Sequence, residues 1–147
     1  MILKELSLES IEEIKILYCD VFTKEPWNDD WSDEKQLHQY ITELIGNQSS
    51  LNYGLFKGEK MVGLCMGNIR HWYAGTEYYI DEFCIEPNEQ GNGLGSFFLQ
   101  EIEKSIKPKG IIHLFLQTER NLPAHHFYKK NGFWELEDHI SLAKDIR

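Results

Sequence analysis

The stretch Gln90-Gly91-Asn92-Gly93-Leu94-Gly95-Ser96 decides the fold of this chain. An apolar run ending at Pro87 precedes it and an amphipathic run follows it, so the pattern predicts a strand, a glycine turn and the start of a helix. Glycine has no Cβ, and the backbone N–H groups of such a turn can therefore approach a ligand closely. Unpaired N–H donors at a helix start also favour negative charge. We interpret residues 90–96, called the cradle below, as a binding site for a pyrophosphate.

The spacing of the cradle excludes two common nucleotide motifs. A dinucleotide-binding fingerprint, G-x-G-x-x-G, requires glycine where Ser96 stands. A P-loop requires Lys followed by Ser or Thr, and the first lysine after Gly95 is Lys104. The pattern Q-x-x-G-x-G fits instead, through Gln90, Gly93 and Gly95.

A second motif lies downstream of the cradle. It reads N-x-x-A-x-x-F-Y followed by G-F, from Asn121 through Tyr128 to Phe133. The two motifs in this order resemble the GNAT superfamily of acyl-CoA-dependent N-acetyltransferases, and the resemblance covers about residues 51 to 144. It implies that acetyl-CoA is the acetyl donor. The residues that would hold the cofactor are Phe83, Cys84, Ile85, Gln90, Gly91, Asn92, Gly93, Leu94, Gly95, Ser96, Asn121 and Tyr128.

The resemblance also implies the architecture. It is a mixed α/β fold of three layers, with a central mixed sheet of about six to seven strands, a splayed parallel pair and helices on both faces. Hydrophobic periodicity predicts helices at 10–22, from Ser32 as N-cap to about 45, and at 94–106. Strands are predicted at 1–6, 51–57, 60–70, 76–85 and 111–118, with a C-terminal strand near 140–143.

Strands 76–85 and 111–118 should lie side by side and parallel, by the right-handed crossover rule. The resemblance implies that these two strands diverge, and that the pantetheine arm of the cofactor pairs with the backbone near Phe83, Cys84 and Ile85. Pro87 has no N–H and would help to end the ladder there, or it simply starts a turn. Cys84 could act as an acyl-accepting nucleophile, but a small buried residue explains it more simply. We therefore expect direct transfer in a ternary complex.

Attack of a neutral amine on a thioester needs a group that removes the ammonium proton and a group that protonates the departing thiolate. Tyr128, which matches the tyrosine of the family motif, is the candidate acid, and helix packing is its alternative role. Asn121 matches an asparagine of the family whose side chain holds either the pantetheine arm or the backbone where the two strands part, although alone it would suggest a turn or helix start. Glu82 is the candidate base, directly or through water. Strand alternation places its rival, Asp81, on the opposite face of the sheet, so that only one of them faces the cleft.

The acceptor pocket is predicted from the segment 25–31 and from the hairpin near 71–73. Trp27, Trp31, Asp81 and Tyr73 are the candidate acceptor-binding residues. Aromatic rings beside carboxylates suit cations, which favours a polyamine, an aminoglycoside-like amino sugar or a basic peptide amine. The alternative is that Trp27 and Trp31 only fill the core.

Composition sets limits on these interpretations. The chain has 147 residues of which 41% are hydrophobic, which suits a single domain over residues 1–147. A net charge of −9 argues against a nucleic-acid partner, and the three cysteines show no C-x-x-C spacing that would indicate a zinc site. No apolar stretch reaches membrane-spanning length, and the first residues carry charge, so we expect no membrane partner and a cytoplasmic location.

Two classes of function stay open at this point. One is an N-acetyltransferase that acts on a small or peptidic primary amine. The other is an acyl-CoA-binding sensor module that uses the same cradle without significant turnover. The resemblance permits either a monomer or a homodimer in which the C-terminal strand pairs with a second subunit.

Overall fold

A five-stranded mixed sheet forms the centre of the fold, in the order β1-β2-β3-β4-β5. The strands are β1 (Ile2–Glu5), β2 (Ser50–Lys57), β3 (Lys60–Trp72), β4 (Gly75–Ile85) and β5 (His113–Leu116). The computed structural model describes all residues 1–147. They divide into two compact units, Met1–Gln117 and Thr118–Arg147, and the sheet belongs to the first. The expectation of a single domain stays a prediction.

Three helices cover the two faces of the sheet in the first unit: α1 (Ile11–Phe22), α2 (Glu34–Gly46) and α3 (Leu94–Ile106). Apolar side chains of α1 and α2 form one core cluster with the sheet residues Leu64, Met66 and Cys84. On the other face, the ring of Phe98 in α3 stacks on Phe83 at 5.2 Å between ring centroids. The predicted mixed α/β architecture with helices on both faces is confirmed.

The two parallel strands, β4 and β5, pair over four residues only. Their register runs from Glu77 opposite His113 to Ile80 opposite Leu116. β4 then continues to Ile85, where it pairs with β3 at Gly63. The ladder between the parallel strands therefore ends in the middle of β4, as the prediction of a splayed pair requires.

The predicted strand count was too high. Residues 140–143 form neither helix nor strand, and the side chains of Ile140 and Leu142 are 79% and 87% exposed. A strand forms only when it pairs with another strand, and none of the five strands of the sheet pairs with this segment.

No helix combines the length and hydrophobicity that crossing a bilayer requires.

The start of α2 also differs from the prediction. Asp33, not Ser32, is the N-cap, and its Oδ1 accepts the N–H of Gln36 at 3.1 Å. Ser32 lies one residue earlier, where its N–H donates to Oδ1 of Asp30 at 3.0 Å. Both side chains are good caps in isolation, so the local turn at Asp30 decides between them.

The second unit contains one helix, α4 (Pro123–Lys130), followed by turns and by residues that form neither helix nor strand. Proline at its first position suits a helix start, because the missing N–H would have no partner there.

Candidate active site

The cradle follows directly after β4 and leads into α3. Gly91 and Gly93 have φ of 82° and 77°, a left-handed conformation that costs an L-residue about 1–2 kcal/mol. A Cβ built at either glycine would meet nothing within 4 Å. Backbone conformation, not crowding, therefore requires glycine here, and the surface in front of both residues is open to a ligand.

The start of α3 offers unpaired donors. Gly93 is the N-cap and provides no side-chain bond, so the N–H groups of Leu94, Gly95 and Ser96 lack a helical acceptor. Gln90 fixes the turn, because its Nε2 donates to the carbonyl of Ile85 at 2.9 Å. Residues 90–96 contain no lysine or arginine. The donor set consists of backbone N–H groups, and it fits the pyrophosphate of coenzyme A.

A β-bulge shapes the middle of β4. Glu82 lies opposite Met66 and Ile80 lies opposite Gly67, so Asp81 is an extra residue with no partner in β3. Oδ2 of Asp81 accepts from Nδ2 of Asn68 at 3.1 Å, and Asn68 shares a face of β3 with Met66.

That face is the one covered by α1 and α2, since Met66 belongs to their core cluster. Glu82 also points to this face, where it meets side chains of both helices. The expectation that Asp81 and Glu82 lie on opposite faces was therefore wrong. Simple alternation of side chains fails here because the bulge adds one residue to β4 that has no partner in β3.

Glu82 is held through a single carboxylate oxygen. The hydroxyls of Tyr40 and Tyr18, called the phenol pair below, both donate to its Oε1, at 2.5 Å and 3.3 Å. No protein hydrogen bond reaches Oε2. The buried side-chain atoms that lack a partner are Trp31 Nε1, Thr42 Oγ1 and Glu86 Oε2. Oε2 of Glu82 is not among them, so this oxygen is not fully buried and retains some contact with solvent.

The surroundings of Glu82 change its acidity. Burial disfavours the charged form and raises the pKa of this carboxyl from 4.5 to about 7. The hydrogen bonds from Tyr40 and Tyr18 act in the opposite direction, and the charges of Asp81 and Asp29 raise the pKa further. A carboxyl group with a pKa near the working pH can both accept and release a proton, which suits a general base.

Tyr18 and Tyr40 belong to the apolar periodicity that predicted α1 and α2, and the sequence indicated no further role for them. The tyrosine hydroxyls were the available signal of a polar contact in the core, because a buried tyrosine normally has a hydrogen-bond partner. The partner could not be read from the sequence, since Glu82 is 64 residues from Tyr18 and 42 from Tyr40.

The two tryptophans of the predicted acceptor segment join the same aromatic group. Trp31 stacks on Tyr40 at 5.3 Å between ring centroids and meets Tyr18 edge-on at 5.5 Å. Trp27 lies further away and contacts Phe22 at 5.7 Å. Both are partly buried against the core cluster of α1 and α2. Trp31 therefore borders the group around Glu82 directly, whereas Trp27 does so through Phe22.

Tyr73 lies apart from this group. It occupies the turn between β3 and β4, is 89% exposed and contacts Trp72 at 4.5 Å. Trp72 follows Met66, the partner of Glu82, by six residues, which is roughly 20 Å along a strand. The structure does not bring Tyr73 together with Glu82.

The last residues of β4 point alternately to the two faces. Phe83 meets α3, and Cys84 is buried in the cluster under α1 and α2. Burial, with a smaller effect of the Glu82 charge, raises the pKa of the Cys84 thiol well above its usual value. A thiol that stays protonated is a poor nucleophile.

The second unit holds the two remaining candidates, Asn121 and Tyr128. Asn121 has φ of 68°, and its N–H donates to Nδ1 of His125 at 3.3 Å. Nδ1 therefore accepts, and Nε2 of His125 carries the proton toward Glu135 at 2.7 Å. Tyr128 is buried on α4, and its ring meets Phe133 edge-on at 5.3 Å.

Comparison with known proteins supplies the family context. The family model described as acetyltransferase (GNAT) family matches residues 11–133. Spermidine N(1)-acetyltransferase of Thermoplasma acidophilum is 27% identical over 146 residues, which cover 92% of this chain and 89% of that protein.

Solved structures with the same fold include a possible acetyltransferase from Clostridium difficile 630. Its TM-score is 0.83 at 14% identity, with 99% of this chain and 98% of that chain covered. An aminoglycoside 6'-N-acetyltransferase of Acinetobacter haemolyticus has a TM-score of 0.74 at 19% identity, and all of both chains is covered. An aminoglycoside acetyltransferase from an uncultured soil sample, in complex with sisomicin, has a TM-score of 0.76 at 14% identity over 99% and 96% of the two chains.

Proposed function

The chain belongs to the acetyltransferase (GNAT) family, and from this premise we propose that it transfers the acetyl group of acetyl-CoA to the primary amine of a small cationic molecule. The observation that carries the proposal is Glu82. It has a pKa of about 7 and an open oxygen, and it stands among aromatic rings on the strand that leads into the cradle. The names of the relatives support a small amine as acceptor, since they include spermidine and aminoglycoside acetyltransferases.

The cradle and the end of β4 would hold the cofactor. We assign the pyrophosphate to the N–H groups of Leu94, Gly95 and Ser96, and the pantetheine arm to the backbone of residues 83–85. Asn121 is assigned to the same arm on the strength of its motif. When bound, acetyl-CoA supplies an acetyl group that is activated as a thioester.

Glu82 would prepare the acceptor for attack. An amine with a pKa near 10 arrives as an ammonium ion, and its nitrogen has no free electron pair until a proton leaves. Oε2 of Glu82 takes this proton, directly or through water. Tyr128 would give its phenol proton to the sulfur as the C–S bond breaks and the C–N bond forms. The second proton that the nitrogen loses on becoming an amide would return to the phenolate, directly or through water.

The acceptor would bind on the α1 and α2 side of β4. Asp81, Trp31 and Trp27 are the candidate contacts there, because a carboxylate and aromatic faces both attract an ammonium group. Tyr73 was also predicted as a contact, but its place at the distant hairpin turn gives that prediction no support.

A thiol-release assay with acetyl-CoA tests the proposal. The panel contains polyamines, aminoglycosides, amino acids and N-terminal peptides, and a thermal shift with coenzyme A alone runs beside it. We expect stabilisation by coenzyme A and turnover with cationic small amines. We also expect Glu82→Gln to lose about 10²-fold or more in kcat, the contribution typical of a general base.

Other results would contradict the proposal in different ways. Stabilisation by coenzyme A without turnover of any amine would favour a sensor module. Turnover of peptides alone would place the acceptor in another class. The absence of stabilisation would contradict the cradle itself.

A further inference from the structure

We infer that Tyr40 and Tyr18 are positioning residues, which hold Oε1 of Glu82 and thereby present Oε2 as the atom that accepts the proton of the acceptor amine. The inference rests on the proposed function, in which Glu82 is the base. It adds the two helices α1 and α2 to the catalytic apparatus, although neither carries a group that touches the reacting atoms.

Geometry is the first argument. The two phenols come from different helices, yet both hydroxyls donate to the same carboxylate oxygen, at 2.5 Å and 3.3 Å. Two donors on one oxygen fix the rotation of the carboxyl group about its terminal bond. The other oxygen then has a defined position, and a base acts efficiently only when such an atom lies within hydrogen-bond reach of the proton.

The second argument is that the phenol pair is itself held in place. The ring of Tyr40 stacks on Trp31 at 5.3 Å, and the ring of Tyr18 lies 4.7 Å from Phe22. Burial, followed by the charge of Glu82, raises the pKa of both phenols, so both remain hydrogen-bond donors throughout the physiological range. The pair therefore donates to the carboxylate at every pH at which the protein would work.

The third argument concerns the charge of Glu82. The titratable groups around its carboxyl are Tyr18 of α1, Tyr40 of α2, Asp29 of the loop between these helices, and Asp81 and Cys84 of β4. Only the two phenols stabilise the ionised form, by donating to it. Loss of one phenol hydroxyl should therefore raise the pKa of Glu82 and move the acidic limb of the rate profile to higher pH.

The chain offers a matched control for this effect. Tyr53 is a fully buried tyrosine whose hydroxyl pairs with Oγ of Ser105 at 3.0 Å. Ser105 belongs to α3, on the opposite face of the sheet from Glu82. Tyr53→Phe removes a buried phenol hydroxyl of the same kind without touching the carboxylate.

The experiment compares Tyr40→Phe, Tyr18→Phe and Tyr53→Phe with the wild type. The pH dependence of kcat and kcat/KM is measured with one cationic amine at saturating acetyl-CoA. In parallel, the glutamate carboxyl carbons are titrated by ¹³C NMR in the ligand-free protein, with Glu82→Gln to assign the Glu82 signal. The second readout does not depend on activity.

We expect Tyr40→Phe to shift both the acidic limb and the NMR titration upward by about one pH unit, a tenfold change in the ionisation equilibrium. Its plateau kcat should fall several-fold with an unchanged KM. Tyr18→Phe should act in the same direction but less, because its bond is longer, and Tyr53→Phe should shift neither curve.

The inference would be overturned if Tyr40→Phe left both curves unchanged, or if Tyr53→Phe shifted them equally. The proposed function would still stand in either case, provided that Glu82→Gln is inactive. Wild-type kcat in Glu82→Gln would overturn the role of Glu82 as base and the inference together.

Discussion

Asp81 and Glu82 are neighbours in the chain, and both carboxylates lie on the sheet face that α1 and α2 cover. This arrangement exists because Asp81 is the extra residue of the bulge opposite Met66 and Gly67. The charge of Asp81 is one of the groups that raise the pKa of Glu82. The bulge therefore influences the chemistry of Glu82 as well as the direction of the Asp81 side chain.

Replacing Asp81 by Asn should lower the pKa of Glu82. The variant removes a negative charge but keeps an oxygen that can accept from Asn68, so the bulge should persist. The acidic limb of kcat/KM should move to lower pH by a few tenths of a unit, a direction opposite to that of Tyr40→Phe. A suitable control is Glu103→Gln on α3, and an equal shift in that variant would mean that net charge, not proximity, sets the effect.

Glu82→Gln should stabilise the protein at alkaline pH. The folded-state pKa of Glu82 is raised from 4.5 to about 7, so the folded state favours the protonated form. The contribution of this group to stability is complete below pH 4.5 and is lost as pH rises through 7. At pH 8 the variant should be more stable by about 3 kcal/mol, and near pH 4.5 by almost nothing. Urea denaturation at both pH values measures the difference, and a pH-independent effect would contradict the raised pKa.

Gly93→Val should abolish binding of coenzyme A, and Gly110→Val should not. Both glycines have similar φ, 77° and 82°, and neither has a neighbour within 4 Å of a new Cβ. Each variant should therefore lose about 1–2 kcal/mol of stability from backbone strain. Only Gly93 lies in the cradle, so only its variant should lose the thermal shift with coenzyme A. Equal retention of that shift in both variants would refute the cradle as the phosphate site.

Tyr128→Phe should lower kcat by about 10²-fold and leave the affinity for coenzyme A nearly unchanged, if its phenol protonates the thiolate. Tyr73→Phe is the control, since Tyr73 is exposed at the turn between β3 and β4, and we expect it to retain wild-type kcat. Thiol release and a coenzyme A titration provide the two measurements. A large fall in affinity with constant kcat would assign Tyr128 to cofactor binding alone.

Local patterns predicted the elements of the fold well. The apolar spacing on α1, α2 and α3 depends on neighbouring residues, which the sequence displays directly. The strand predicted at 140–143 did not form, because pairing depends on a partner strand that this pattern cannot reveal. The cap of α2 was misplaced by one residue, since Ser32 and Asp33 are both good caps.

The candidate site was likewise predictable only where it depends on residues that are close in the sequence. The cradle is a local motif, and two of its glycines, Gly91 and Gly93, have the positive φ that glycine adopts readily. The surroundings of Glu82 are not local, because its two hydrogen-bond donors come from helices far away in the sequence. The bulge at Asp81 was also invisible, since an extra residue in one strand has meaning only relative to the strand beside it.

The cradle offers its proposed ligand backbone N–H groups and no lysine or arginine, in a chain of net charge −9. A phosphate site built on basic side chains weakens as ionic strength rises, because salt screens the attraction. Here salt also screens the repulsion between an anionic ligand and the acidic surface, and the hydrogen bonds of the helix start are fixed by the fold. We therefore expect this protein to retain coenzyme A in concentrated salt, where a lysine-based site would release it.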